Sequence, residues 1–323
     1  MMDVNPRQTA PEGAGRAMER RGLLVGLGGL GLASGAAALL PGSAAAGEAG
    51  RYPGGAGGSV VRAVAAPGEL TLSTDAVPAG LVTLRATTPD PEQQHPLGLL
   101  RLRHGVSVAG FLEHYRQAAT AQDPAERRAA LALIDTEAHY FGGPAVSAAG
   151  GAVEVSWILA PGTYHLLDYT TTDPAHPERV RTLTVTPAGR PHGGPRSAPH
   201  VIAPYDDGDR GRFLTAATLP ADGVFHVVNH TRQLSEVMFL RVTPGASEED
   251  VTACMEALGR GEQPPVYPFT GVPTGLTPLQ PGASAVFAHA LRPGRYLLTS
   301  FISSRETLVK RAFEGMWQLV TLR

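Results

Sequence analysis

The sequence predicts a mainly β protein built as two tandem β-sandwich domains, each carrying a helical insertion. Three observations lead there. The chain holds 39 glycines and 28 prolines in 323 residues, a density that suits many short strands and turns better than long helices. Alternating apolar segments flank Pro-Gly turns, as strands joined by tight connections do. The pattern also occurs twice, with an offset that falls from 142 to 132 residues along the chain, as small loop insertions in a duplication would produce.

The composition is globular, 43% hydrophobic and 17% charged, and the length suits two ordinary domains. A formal charge of −2 with a pI near 6.6 gives no electrostatic case for nucleic acid or for an acidic membrane surface. Lys310 is the only lysine, which reads as coding bias in a chain that otherwise uses arginine.

The amino terminus has the form of an export signal. Arg20-Arg21 precede an uncharged, glycine- and alanine-rich run from Gly22 to Leu40, then small residues ending at Ala46. A twin-arginine signal over residues 1–46 is expected, cleaved after Ala46, leaving no membrane span and a periplasmic or extracellular protein. Residues 47–66 are rich in glycine and alanine and are expected to be a flexible tether.

Domain 1 is expected over 67–187. Its strands are read at Glu69-Leu70-Thr71-Leu72, Leu81 to Thr87, Leu99-Leu100-Arg101-Leu102, Val153 to Trp157 and Arg181 to Val185. A helix from Ser107 to about Thr120 and a second begun by Asp123-Pro124-Ala125-Glu126 form the insertion, since Asp at the N-cap, Pro at N1 and Glu at N3 are strong start signals. Residues 188–211 read as a proline- and glycine-dense linker.

Domain 2, 212–323, repeats the order. Val224 to Asn229, Phe239-Leu240-Arg241-Val242, Ala285 to Leu291 and Trp317 to Leu322 are strands, and Ser247-Glu248-Glu249-Asp250 is a capping box opening one helix. Val251, Cys254, Met255 and Leu258 mark that helix's buried face. Cys254, the only cysteine, can form no disulfide within the chain and is expected to be a buried structural thiol. Each domain is near the usual independent size, so two separate cores are expected.

Both copies end alike. Pro161-Gly162-Thr163-Tyr164 and Pro293-Gly294-Arg295-Tyr296 each follow one strand and precede a last V-x-L-type strand. These turns resemble the carboxy-terminal end of cupredoxins, the plastocyanin-like copper proteins, which implies a Greek-key sandwich in each copy. A pair of immunoglobulin- or transthyretin-like sandwiches is the alternative. The resemblance also implies where copper ligands would stand. In the first copy these positions hold His95, Asp168, Thr171 and Val180; in the second, Ser235, Ser300, Ser303 and Met316. A type 1 site needs a thiolate and two imidazoles with a weak axial thioether, so type 1 copper is argued against and no cofactor is expected.

His95 and Asp168 remain, because the implied fold brings their positions together at one end of the sandwich. They are the weak metal candidates, completed by His165 or His176, or else a hydrogen-bonded pair filling the space that copper would take. His226 and His289 lie in strand patterns and are expected to pack or face solvent, while His192 and His200 fall in the linker. Gly26 to Gly31 faintly resembles a dinucleotide fingerprint but lies in the signal, and no G-x-S-x-G, H-E-x-x-H, C-x-x-C or P-loop occurs. The expectation is an exported, non-catalytic protein that binds a small molecule or an envelope protein. The alternative is a metal carrier or metal-dependent enzyme using His95 and Asp168.

Overall fold

The computed structural model describes residues 58–188 and 198–323. The signal expected at 1–46, including Arg20, Arg21 and Ala46, lies outside the described residues, as does His192.

The first half contains β1 (Ser59–Ala66), β2 (Glu69–Leu72), β3 (Ala76–Pro78), β4 (Gly80–Thr87), β5 (His95–Leu102), α1 (Val108–Thr120), α2 (Pro124–Glu137), β6 (Ala138–Tyr140), β7 (Pro144–Val146), β8 (Val153–Leu159), β9 (Gly162–Asp168) and β10 (Arg181–Thr186). The second contains β11 (His200–Asp207), β12 (Arg210–Leu214), β13 (Thr218–Leu219), β14 (Asp222–Val228), β15 (Ser235–Val242), α3 (Glu248–Gly259), β16 (Phe269–Leu279), β17 (Ser284–Ala290), β18 (Gly294–Thr299) and β19 (Trp317–Leu322). Two Greek-key sandwiches result, and their strand orders correspond element by element. Sheet order β2-β1-β4-β8 faces β3-β10-β9-β5-β7 in the first half, and β12-β11-β14-β17 faces β13-β19-β18-β15-β16 in the second. Even the parallel pairs recur, β1 with β4 as β11 with β14, and β10 with β3 as β19 with β13.

Two boundaries differ from the sequence expectation. Residues 59–66 are not tether: Val61, Ala63 and Ala65 are buried on the inward face of β1. Their alternation outweighs an alanine content that by itself suggests disorder. Nor is the stretch from 200 to 211 linker. It forms the β11–β12 hairpin, turned at Gly208 with φ 62°, with Ile202 and Phe213 buried. His200 accordingly stands on a strand.

The expected separation into two cores also fails. β8 pairs antiparallel with β17 and β7 with β16, so both sheets run unbroken from one half into the other. Val155 lies opposite Phe287, and these two are each other's counterparts at the offset of 132 that relates the Pro-Gly turns. The halves thus meet about a pseudo-two-fold axis, as protomers do in an isologous dimer. Gly275, at φ 155°, permits the β15–β16 approach beside this junction, since a Cβ there would sit 2.0 Å from the Val237 carbonyl oxygen. Val155, Phe225, Phe287, Leu97 and Leu276 belong to one continuous core.

The helices cover the outer side of the second sheet. Phe111, Leu112 and Ile134 of the α1–α2 hairpin pack with Leu100 and Tyr140, while Val251, Cys254 and Met255 of α3 pack with Met238 and Leu240. Asp123 caps α2 by accepting from the Ala125 and Glu126 amides, and Ser247 with Asp250 completes the capping box of α3. Both Pro-Gly-x-Tyr turns have one physical basis. Gly162 and Gly294 adopt φ 153° and 151°, which disfavours a side chain, and the Tyr164 and Tyr296 hydroxyls donate to the carbonyls four residues upstream, Ala160 and Arg292, both at 2.9 Å.

Candidate functional site

His95 opens β5 and Asp168 closes β9, and because the two strands are hydrogen-bonded neighbours their side chains meet at one end of the first sandwich. His95 Nδ1 lies 2.5 Å from Asp168 Oδ2, and His95 Nε2 lies 3.2 Å from Asp90 Oδ2. All three side chains are essentially buried, exposed by 1%, 1% and 6%. Asp90 comes from the loop before β5. Its other oxygen accepts the amides of Glu92 and Gln93 at 2.9 and 3.1 Å. Asp168 Oδ1 accepts the Thr170 amide and hydroxyl at 2.9 and 2.7 Å. Every ring nitrogen and every carboxylate oxygen therefore has a partner, which is what a buried polar network requires.

Burial alone would lower the imidazole's pKa, but the hydrogen bonds and charges of Asp168 and then Asp90 outweigh it and hold His95 above its ordinary value. The Glu92 amide, working against burial and helped by the Gln93 amide and His95, holds Asp90 below the usual carboxylate range. The arrangement is a buried imidazole bridged between the side chains of Asp168 and Asp90.

His165 and His176 do not complete this site. His165 is three residues before Asp168 on the same strand and so faces the other side of the sheet, and His176 is half-exposed and pairs with Glu178 at 3.0 Å. Thr171 and Val180 are partly buried and Thr171 hydrogen-bonds only to Asp168 backbone among the described contacts.

The corresponding end of the second sandwich is built differently. Ser235, Ser300, Ser303 and Met316 are all buried. Gly211 packs against both Met316 and Arg311: a Cβ at Gly211 would lie 2.5 Å from Met316 Sδ and from Arg311 Nη2. The Arg311 guanidinium in turn donates to Asp206 of β11. An arginine–carboxylate bridge is buried in the second copy, as a histidine–carboxylate bridge is in the first. Among the described residues, no group of three or more His, Cys, Asp or Glu side chains has the form of a metal site.

The other candidates are accounted for. His289 is buried, contacts Thr274 Oγ1 through Nε2 at 3.0 Å, and is kept neutral because burial lowers its pKa to about 4. His226 is half-buried on β14. Cys254 lies in the α3 core face, where burial pushes the thiol up to about 11 and leaves it unreactive.

No family model and no curated protein matches the chain. Solved structures do. An auracyanin of Roseiflexus castenholzii is 18% identical, covering 39% of this chain and 99% of its own, with a TM-score of 0.22. A multicopper oxidase is 12% identical over 82% of this chain and 88% of its own, with a TM-score of 0.21. The copper nitrite reductase of Nitrosomonas europaea is 9% identical over 82% of this chain and 93% of its own, with a TM-score of 0.22. At such values these likenesses carry no function. The matched strand orders of the two halves define the class, a tandem Greek-key β-sandwich protein.

Proposed function

We propose that this is an exported, non-catalytic protein whose two cupredoxin-like domains serve binding and no longer hold copper. The observation that carries this reading is the commitment of His95: both ring nitrogens are held by carboxylates whose remaining oxygens are themselves engaged. Copper of type 1 would require a thiolate, and the one thiol sits in the core of α3, away from this end of the sandwich. Twin arginines at Arg20-Arg21 support export, and no helix among the described residues is long and apolar enough to cross a membrane.

One specific observation favours a metal carrier as the second reading. Asp168 could hold the ring through Nδ1 as an outer partner while Nε2 and Asp90 supplied two donors. Two protein donors fall short of the three that catalytic zinc sites carry. Calorimetric titration of the purified mature protein with Zn(II) and Cu(II), repeated on His95→Asn, separates the readings. The first expects no stoichiometric site that depends on His95 and no intense thiolate-to-copper band. Stoichiometric binding lost in His95→Asn would establish the second.

A further inference from the structure

Between the α1–α2 hairpin of the first half and the loop that follows β18 in the second lies a cleft of about 30 Å³. Its walls are largely apolar: Tyr115, Leu131, Ile134 and Tyr169 come from the first half, Pro278 and Ile302 from the second. Tyr115 and Tyr169 stack at 5.5 Å and fix one wall. A single water needs about 10–15 Å³ of such space, so a chain of two or three carbons fits and an aromatic ring does not.

Asp135 and Arg305, one from each half, also line the cleft. Arg305 Nε lies 3.1 Å from Asp135 Oδ2, an ion pair without a hydrogen bond among the described contacts. Arg305 commits Nη2 to the Arg232 carbonyl at 3.1 Å, which leaves Nε and Nη1 as donors. Asp135 accepts no hydrogen bond among the described residues, although its side chain is only 15% exposed. A carboxylate placed that deeply ordinarily has hydrogen-bond donors around it. Two open acceptors and two open donors therefore converge on an apolar cleft.

The loop that carries Arg305 is held against the hairpin at other points. Arg127 Nη2 donates to Ser303 Oγ at 3.3 Å and Arg128 Nη2 to the Glu306 carbonyl at 3.2 Å, while the Arg305 amide donates to Gln233 Oε1 at 3.1 Å. Leu308 is the one non-glycine residue with positive φ among those described, at 63°, a conformation costly for a bulky side chain and concentrated at ligand clamps and switch regions. Its packing against the core beneath the hairpin keeps it there.

We propose that this cleft binds an α-amino acid with a short aliphatic side chain, such as alanine or valine. The ligand's ammonium donates to Asp135, its carboxylate accepts from Arg305, and its side chain enters between Leu131, Ile134 and Ile302. A zwitterion suits the place because it adds no net charge beside a pair of opposite charges, whereas an amine or a carboxylate alone meets only one member of that pair. Since the two charged partners come from different halves, the ligand joins the halves when it binds. The site shares no residue with the Asp90–His95–Asp168 network. Naming a ligand rests on the binding role proposed above, but a metal held by His95 would sink that role without touching this cleft, so the two readings fail separately.

Calorimetric titration of the full mature chain with L-valine and L-alanine tests the assignment. One saturable site is expected, roughly tenfold or more weaker for three analogues of valine: isobutylamine, which lacks the carboxylate, isovalerate, which lacks the ammonium, and L-phenylalanine, whose ring exceeds the space. Asp135→Asn and Arg305→Gln should each weaken valine binding by a similar factor, with thermal melts confirming that both variants fold. The analogues act on the wild-type chain, so an unstable variant leaves the test intact. No saturation by about 10 mM valine or alanine, equal binding of any of the three analogues, or unchanged affinity in the folded variants overturns the proposal.

Discussion

Asp168→Asn is the substitution that most directly tests the Asp90–His95–Asp168 bridge. It preserves shape and can keep the Thr170 contacts, but it removes the charge 2.5 Å from His95 Nδ1. Because the pair is almost fully buried, solvent does not screen the loss, and breaking such a pair from one side costs roughly 3–5 kcal/mol. The sign with pH follows from the two shifts. His95 is raised in the folded state, so its contribution is complete below the unfolded value of about 6.5 and is lost as pH rises through the folded value. Asp90 is lowered, so its contribution is complete above about 3.9 and is lost as pH falls through its folded value. The bridge is therefore worth most between about pH 4 and 6.5. Urea unfolding of wild type and Asp168→Asn at pH 5.5 and pH 9 should show the full destabilisation at the lower pH and a smaller one at the higher. A loss under about 1 kcal/mol at pH 5.5, or an equal loss at both, would refute the charged bridge.

Two further outcomes follow from the rest of the chain. Residues 198–323 expressed alone should self-associate, because β17 becomes a bare edge strand and Phe287, fully buried in the whole chain, loses the cover of Val155; a monomer by analytical ultracentrifugation with a cooperative melt would show that the halves do not depend on one another. Changing Arg20 and Arg21 together to Lys should leave precursor in the cytoplasm, since the pair is read by a receptor and not as charge; normal export in a fractionation assay would point to another route.

Many of the strands were legible because they rest on local alternation and turn chemistry, although β7 and β16 were not. Gly162 and Gly294 announce their turns for a reason the backbone confirms, and Asp123-Pro124 and Ser247 start helices where their chemistry says they should. What composition obscured was β1 and the β11–β12 hairpin, where small or proline-flanked residues still alternate into the core. The junction between halves is invisible in the sequence for a different reason: a strand that pairs with its own counterpart reads the same as one at a free edge. At the site, His95 and Asp168 were reachable through the resemblance to cupredoxins, whereas Asp90 sits in an irregular loop whose partners only the fold supplies. Lys310 was visible as a singular residue, but its burial was not.

The two copies show what constrains this end of the sandwich. Burying an ionised group without a partner is costly in either half. Each copy meets that cost with residues at unrelated positions: a loop aspartate and a strand-end aspartate around His95 in one, and β11's Asp206 around Arg311 in the other. What the copies share is a charge bridged inside the sandwich, not a ligand set. The pseudo-two-fold junction explains how such divergence is tolerated, because the sheets and core that it joins are continuous through Val155 and Phe287. Each end of the sandwich can then change its chemistry while the center of the molecule stays the same.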